Sequence, residues 1–382
     1  MKIIIHHHSL VYQEGTKFWF QSFFGSWVQE LSNHFEEVAV LVEMTTAKTE
    51  FQDYLVDSSQ IRLYSIGYRG AQSKAQRTNS IKNWGKELSG KYDFLLIRGI
   101  TPRQYEVYRA FTNSKVFLLV GSLIDSKPQF GLSTLKILLW YLNKVRLIQL
   151  KLISKGAQMF ANSPKIVNEL DEILHTRSTF IPTNTISAND FIPIQFRGIQ
   201  KVPKLLFCGR VVKDKGIEEL IEAVSELKKR GLPCALKIVG GILPEYKTQL
   251  LQMIDRLEIS ELISFQGFVS FGNELLNFYR EADIYILPSW HEGFPHSIWE
   301  ASCSCTPVIT TDVGGIPGLV SSDEVLFIRP KCALEISQAV FTLIENQSGV
   351  ELRVENAYKL ARSYSVENCA RLLKDKLGET VK

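Results

Sequence analysis

No apolar run in this sequence is both long enough and free enough of charge to form an ordinary membrane span. Internal repeats and low-complexity tracts are also missing. The net charge of +4 is too small to indicate a nucleic-acid partner. Met1 and Lys2 lead directly into an isoleucine-rich strand, so we expect no secretory leader and a cytoplasmic location. What remains, 45% apolar and 22% charged residues in a chain of 382, is typical of a soluble protein with two domains.

The six cysteines form no regular framework, which argues against a disulfide scaffold and favours reduced thiols. Cys303 and Cys305 are close together, but no second pair with the spacing of a zinc site accompanies them. The run His6 to His8 would be divided between the two faces of a strand, so a polar strand end is the simpler interpretation. We therefore expect no metal site.

Short apolar runs alternate with longer helical stretches, which is typical of parallel strands joined by crossover helices. The predicted strands of the first half are 2–5, 38–42, 61–65, 94–97, 116–120 and 158–161, and those of the second half are 204–208, 235–239, 263–266, 284–287, 307–310 and 325–328. A linker rich in proline and polar residues separates the halves. The sequence predicts an α/β protein with two Rossmann-like domains, residues 1–190 and 191–363, and a C-terminal helix of about 364–382 that returns to the first domain. Two such parallel sheets imply a ligand cleft between the domains.

Two basic stretches raise the question of membrane contact. Residues 127–155 carry six basic and no acidic residues, and residues 69–91 carry six cations against Glu87 alone. An amphipathic helix on anionic lipid would explain the first stretch, and an ordinary long helix packed on the first sheet with solvated lysines explains it at least as well. The aromatic residues between Phe18 and Trp27 are read mainly as core, with the entrance of an acceptor site as the alternative.

The clearest chemical signal is the turn after the first strand of the second half, Cys208-Gly-Arg-Val-Val-Lys-Asp-Lys-Gly216. Gly209 allows the backbone to approach a ligand closely. Arg210 and Lys215 flank the turn, and two cations at a strand end suit a diphosphate. A charged helix entry without ligand would also explain this motif if it stood alone.

Further glycine turns follow at the ends of the next strands, at Gly240, Gly267 and Asp312 to Pro317. Between them a strand ends at Pro288, and a loop with Glu292 and Gly293 precedes a helix that should begin near Pro295. A helix start offers free N–H groups to an anion. Glu300 then falls one to two turns inside that helix, so the two glutamates can touch different parts of an extended ligand.

In this order and spacing, these features resemble the retaining glycosyltransferases of family 4, also called glycosyl transferases group 1. The fold that the resemblance implies is GT-B, with two Rossmann-like domains whose parallel sheets face each other across a cleft. The resemblance is tight over residues 204–320 and looser elsewhere.

The resemblance also implies roles for individual residues. Arg210 and Lys215 would bind the donor diphosphate, Glu300 the ribose hydroxyls, and Glu292 would lie beside the donor sugar. The remaining residues would present main chain to the base, the sugar or the phosphate; they are Gly209, Gly240, Gly267, Phe268, Gly293, Phe294, Pro295 and His296. The family generally needs no metal and no cofactor besides the nucleotide sugar, because cations and helix ends stabilise the leaving group.

The first half departs from the family pattern. Many relatives carry a histidine after the strand that corresponds to residues 116–120, whereas this chain reads Gly121-Ser-Leu-Ile-Asp125. Asp125 is the nearest polar candidate for its catalytic place. Glu14 and Gly15 match the family's donor-side glycine loop only in part. Cys305 stands where glycine is usual, after the helix that carries Glu300.

The function predicted from the sequence is transfer of a sugar from a UDP- or GDP-sugar to an acceptor hydroxyl with retention at the anomeric carbon. The expected acceptor is a glycan or lipid-linked glycan of surface polysaccharide biosynthesis. The protein would then lie in the cytoplasm or peripherally on the inner face of the cell membrane. Two alternatives stay open: a nucleotide-sugar epimerase of the same architecture, and a membrane-docked assembly protein with an idle nucleotide site.

Overall fold

The computed structural model describes residues 1–57, 59–101, 103–120, 145 and 147–379. The chain forms two compact units, one of Met1–Thr185 with Val366–Lys382 and the other of Ile186–Ser365. The sequence-based boundaries, after residues 190 and 363, differ from these by a few residues. Because Asp125 and most of the basic stretch 127–155 lie outside the described residues, the predictions made for them stay predictions.

In chain order the described strands are β1 Lys2–His6, β2 Val11–Glu14, β3 Lys17–Phe20, β4 Glu37–Thr45, β5 Tyr54–Val56, β6 Ile61–Tyr68, β7 Phe94–Arg98, β8 Ser114–Leu119, β9 Gln158–Ala161, β10 Ser178–Phe180, β11 Lys204–Cys208, β12 Ala235–Val239, β13 Ile263–Gly267, β14 Ile284–Leu287, β15 Val308–Thr311 and β16 Leu326–Ile328. All the described strands except β2, β3, β5 and β10 lie close to positions that the apolar runs predict. Many of them, such as β7 and β14, are buried along their whole length, which explains their continuous apolar character.

The helices follow the strands as crossovers. They are α1 Ser22–His34, α2 Lys74–Leu88, α3 Gln104–Ala110, α4 Pro164–Leu174, α5 Ile217–Lys229, α6 Pro244–Arg256, α7 Asn273–Glu281, α8 His296–Cys303, α9 Ala333–Glu345, α10 Gln347–Ser363 and α11 Val366–Gly378. A capping box starts α2, where Ser73 accepts from the backbone N–H of Gln76 and the Gln76 side chain accepts from that of Ser73.

In the first unit the described strands form one sheet in the order β10-β9-β8-β7-β1-β4-β2-β3-β5, with β6 also paired to β4. The strands from β10 to β4 run parallel, as does β6. The helix α11 belongs to this unit, and its Val366, Ala370 and Leu373 share a core with Trp27 of α1.

The hairpin β2–β3 and its neighbour β5 are antiparallel to each other and were missed by the sequence analysis. Glu14 pairs with Lys17, so Gly15 lies in a two-residue hairpin turn with φ of 61°. The partial resemblance of Glu14 and Gly15 to a glycine loop thus falls on a hairpin. Of the aromatic run that follows, Phe20, Phe24 and Trp27 are buried in the core.

The described end of the basic stretch 127–155 is a helix with both buried and exposed apolar side chains. Residues 147–154 are helical, with Leu150 and Ile153 buried and Ile148 and Leu152 exposed. Among the described residues, no helix has the length and apolar character needed to cross a bilayer.

The second unit contains a six-strand sheet in the order β13-β12-β11-β14-β15-β16, in which every described pairing is parallel. Crossover helices connect the strands, so all six chain segments leave the sheet at the same edge. This edge gathers the loops that carry the sequence-predicted site.

The end of α8 contains a residue in strained backbone. Cys305 has φ of +56°, in the left-handed region, and the N–H groups of Cys305 and Thr306 donate to Ser302 and Ala301 in the pattern of a Schellman cap. The chain therefore keeps a turn that favours glycine but fills it with a buried cysteine.

We predict that Cys305→Gly stabilises the protein by about 1 kcal/mol, because glycine adopts this conformation without the steric cost that a Cβ brings. Denaturant unfolding followed by circular dichroism measures the change. Cys303→Gly is the matched control, and it should destabilise by about 1 kcal/mol because Cys303 lies within α8. Equal destabilisation by both changes would contradict the prediction.

Candidate active site

The candidate site lies at the carboxyl edge of the second unit's sheet, where open parallel sheets usually bind ligands. Two of its loops, 209–216 after β11 and 288–295 after β14, carry seven of the thirteen predicted site residues, and the loop 312–318 after β15 lies beside the second of them. The loops 240–243 after β12 and 268–272 after β13 complete this edge.

Lys215 and Glu292 form an ion pair at the centre of these loops. The Lys215 ammonium lies 2.5 Å from Glu292 Oε1, and the Ser289 hydroxyl donates to the same oxygen at 2.7 Å. Their side chains are only 14% and 8% exposed, so solvent screens this pair less than a surface pair. The structure thus brings together a cation and a carboxylate that are 77 residues apart in the chain.

Arg210 provides a second cation in the loop after β11. Its side chain is exposed, and within the described residues it makes no ion pair or side-chain hydrogen bond. The backbone of this loop is held on both sides, since Val211 donates to Gly241 and Val212 donates to Arg210 itself. Arg210 therefore offers a free guanidinium from a fixed loop, as the binding of an anionic ligand requires.

The loop that carries Glu292 is hydrogen-bonded to the loop after β11 and to the end of β15. The Trp290 N–H donates to the carbonyl of Asp214 at 2.8 Å, and the Thr311 hydroxyl donates to the carbonyl of Ser289 at 2.7 Å. Gly314 has φ of 58°, and a Cβ there would lie 1.6 Å from the carbonyl oxygen of Glu292. Only glycine allows this contact, so the Gly-Gly turn supports the position of Glu292.

Gly209, Gly240 and Gly267 lie side by side at this edge and contact one another through main chain. The Gly240 N–H donates to the Gly267 carbonyl at 2.7 Å. A Cβ on Gly240 would lie 1.8 Å from the Gly209 carbonyl oxygen. Packing between loops already requires glycine at position 240, whether or not a ligand touches it.

Glu300 occupies a different environment from Glu292. It lies on α8, is 8% exposed, and accepts a hydrogen bond of 2.6 Å from the hydroxyl of Tyr279 on α7. Among the described residues no cation pairs with it. Burial raises its pKa to about 7, although the Tyr279 hydrogen bond works in the opposite direction.

The segment from Gly293 to His296 leads into α8. Pro295 is the residue before the helix, which begins at His296, one residue later than predicted. Phe294 is buried and its ring lies 4.8 Å from that of Trp299, so its side chain belongs to the core. Phe268, in contrast, is exposed just after β13.

Sequence reasoning missed Tyr279 and Ser289 as partners of the two glutamates. Ser289 stands three residues before Glu292, a spacing that could have suggested the contact. Nothing in the sequence marks Tyr279, which reaches Glu300 from another helix. In the described part of the chain, no three His, Cys, Asp or Glu residues are grouped so that they could hold a metal ion.

The raised pKa of Glu300 predicts a specific dependence of stability on pH. Below pH 4.5 the carboxyl is protonated in both the folded and the unfolded chain, and between about 4.5 and 7 only the unfolded chain loses the proton. Stability should therefore fall as the pH rises across this window, by up to about 3 kcal/mol in total.

Glu300→Gln keeps the acceptor for Tyr279 and removes the titration. The difference in unfolding free energy between this variant and the wild type, measured from pH 4 to pH 8, should grow in favour of the variant as the pH rises. A difference that is constant over this range would show that Glu300 ionises as an ordinary carboxyl.

Residues 191–360 match the model of the family described as glycosyl transferases group 1. One relative is the uncharacterized glycosyltransferase MJ1607 of Methanocaldococcus jannaschii, 30% identical over 184 residues, or 47% of this chain and 46% of the relative. Another is the capsular polysaccharide biosynthesis glycosyltransferase CapM of Staphylococcus aureus, 28% identical over 40% of this chain and 41% of the relative. The chain therefore spans less than half the length of the curated relatives that it matches.

Among solved structures, Anabaena Alr3699/HepE in complex with UDP-glucose superimposes with a TM-score of 0.75 at 18% identity, over 99% of this chain and all of the other. The likeness shows a shared fold and confirms the predicted one. Residues 191–360 are thus a domain of the glycosyl transferases group 1 family, in a chain with the GT-B fold.

Proposed function

We propose that the protein is a retaining glycosyltransferase of the family 4 type, which transfers a sugar from a UDP- or GDP-sugar to an acceptor hydroxyl. The observation that carries this proposal is the arrangement at one sheet edge of the family domain. There an unpaired arginine and a lysine–glutamate pair lie on loops that are tied together by hydrogen bonds, and a second, buried carboxylate lies on the helix that follows one of them.

Each group has a role that its environment suits. Arg210 and Lys215 bind the diphosphate and stabilise the charge that develops on it as the sugar leaves. Glu300, once deprotonated, accepts hydrogen bonds from the ribose hydroxyls. Glu292 lies beside the donor sugar and keeps the Lys215 ammonium in place before the donor arrives. These cations do the work of a divalent metal, so we propose that no metal is needed.

The names of the relatives support the classes of donor and acceptor. The structural neighbour HepE holds UDP-glucose, which supports a nucleotide-sugar donor. CapM is named for capsular polysaccharide biosynthesis, which supports a glycan or lipid-linked glycan as acceptor. We further propose that the protein works in the cytoplasm, peripherally on the inner face of the cell membrane, with the basic segments 69–91 and 127–155 toward anionic lipid.

We predict that Lys215→Ala and Arg210→Ala each weaken nucleotide-sugar binding about 10- to 100-fold, since each removes a charge-assisted contact to phosphate. Calorimetry of the full chain with a panel of UDP- and GDP-sugars measures the affinity, and product analysis measures turnover. Lys213→Ala is the matched control, because Lys213 lies in the same turn, is exposed and pairs with Glu218. Its affinity should equal that of the wild type.

The outcomes separate the alternatives. Equal affinity in all three variants would overturn the site. A donor sugar that changes configuration without any acceptor would identify an epimerase. Binding without turnover over a broad acceptor panel would identify an idle nucleotide site. Lys215→Ala leaves the buried Glu292 without its cation, which could itself lower the affinity. The double change Lys215→Met with Glu292→Gln removes both charges of the pair and therefore checks for this effect.

Membrane contact has its own test. We predict that the protein co-sediments with vesicles of anionic lipid at low salt and is released as salt screens the charges. Lys82→Gln with Lys86→Gln, on α2, should reduce the bound fraction. No sedimentation with anionic vesicles would overturn the peripheral location and leave the transferase proposal intact.

A further inference from the structure

A second cluster of charge lies in the first unit, at the carboxyl edge of its sheet. Arg98 ends β7, Arg69 follows β6, and His8 lies two residues after β1. Arg77 from α2 and Arg103 from just before α3 complete the cluster. None of these residues has a part in the donor site of the second unit.

The cluster has more positive than negative charge. Glu43 accepts from Arg69 at 2.8 Å, Arg77 at 3.0 Å and Arg103 at 3.3 Å. Glu106 accepts from Arg103 at 2.9 Å. Together with Arg98, the cluster has four guanidinium groups and two carboxylates. The described residues of the cluster therefore carry an excess of two positive charges.

Arg98 is the most unusual member. It is 2% exposed, and no described carboxylate pairs with it. Its guanidinium lies 5.0 Å from the ring centre of Trp27 and 5.6 Å from that of Phe23, and its Nη1 lies 3.5 Å from His7 Nε2. Its Nε has no hydrogen-bond partner in the described structure. A buried cation with aromatic neighbours and no counterion is costly unless an anion compensates it.

His8 connects this buried cation to the surface. It is exposed, and its ring lies 4.3 Å from that of His7. A small pocket opens beside it, and its lining includes Arg69, Arg103 and the carboxylate of Glu43, which is already bonded to Arg69, Arg77 and Arg103. The pKa of His8 is lowered by the partial burial of its ring beside His7 and, to a smaller extent, by the charges of Arg98 and Arg69.

We propose that this edge binds a phosphate group, with His8 and Arg69 contacting its oxygens and Arg98 supplying charge from the interior. The excess of two positive charges matches a phosphate dianion better than a single carboxylate. If the protein is a transferase as proposed above, the phosphate belongs to the acceptor, which would then be a phosphorylated glycan or a lipid-linked one.

The test measures phosphate binding in a background from which the donor site's cations are removed, Arg210→Ala with Lys215→Met. Titration of this protein with inorganic phosphate should show one site, and the His8 ring resonance in histidine-labelled protein should shift as it fills. Arg69→Gln and His8→Ala should each raise the dissociation constant about tenfold. Arg62→Gln is the matched control, because Arg62 lies exposed near the other end of the same strand, β6, and it should change nothing.

Arg98→Met tests the interior charge. It keeps an apolar chain among the aromatic rings, so a folded variant with about tenfold weaker binding supports the proposal. Should Arg98→Met fail to fold, the two surface variants still decide. Equal phosphate affinity in Arg69→Gln, His8→Ala and the control would overturn the site, as would a phosphate titration that leaves the His8 resonance unmoved.

The source of the phosphate is resolved by comparing two probes. Glucose 1-phosphate represents a soluble acceptor, and vesicles that contain phosphatidic acid represent a lipid headgroup. Loss of affinity for either probe in Arg69→Gln supports the site and names the source. The protein could bind phosphate through Arg69 and yet transfer no sugar. That result would overturn the transferase proposal and leave the phosphate site intact.

Discussion

The parallel pairing of all six described strands in the second unit is the constraint on which the candidate site depends. A parallel strand cannot return through a tight turn, so each one needs a crossover, and all of them end at the same edge. Loops that are 77 residues apart in the chain therefore meet there, and Lys215 reaches Glu292 without any local signal linking them. The central strands β11 and β14 are buried along almost their whole length, so the charged residues of the candidate site lie on the loops and the helix at this edge.

The same logic explains what could be predicted from the sequence. Strands such as β14, buried along their whole length, read as continuous apolar runs, and their ends could be located within a residue. The hairpin β2–β3 was not predicted because its strands are short, partly exposed and composed of both polar and apolar residues. Arg210, Lys215 and the two glutamates were predicted because their order and spacing resemble a known family, and their binding roles stay predictions. The partners of Glu43 and Glu300 could not be found, since they lie on other elements and no spacing rule connects them.

Two carboxylates at one sheet edge have been given opposite environments. Glu292 has a cation at hydrogen-bond distance and a hydroxyl donor beside it. Among the described residues, the hydrogen-bond donor to the Glu300 carboxyl is the phenol of Tyr279, and burial raises the pKa of Glu300 to about 7. A carboxyl without a cation is a good acceptor for neutral hydroxyl groups, because no fixed charge competes for its oxygens. A carboxylate paired with lysine instead holds that lysine in place at the sheet edge where we propose that the donor diphosphate binds. The difference between these environments follows from their neighbours, since both residues are glutamate.

Motif glycines carry less functional information than their number suggests. Gly240 and Gly314 have no space for a Cβ because the main chain of a neighbouring loop lies against them. Their role is therefore to let the loops approach one another, which is a structural requirement of this edge even without ligand. The left-handed turn after α8 shows the converse, since Cys305 occupies it at a steric cost and the Schellman hydrogen bonds still form. A missing glycine thus weakens a turn without abolishing it. The charged side chains are the stronger evidence of function, because Arg210 is left without a partner in the described structure, and packing gives no reason for a cation at that position.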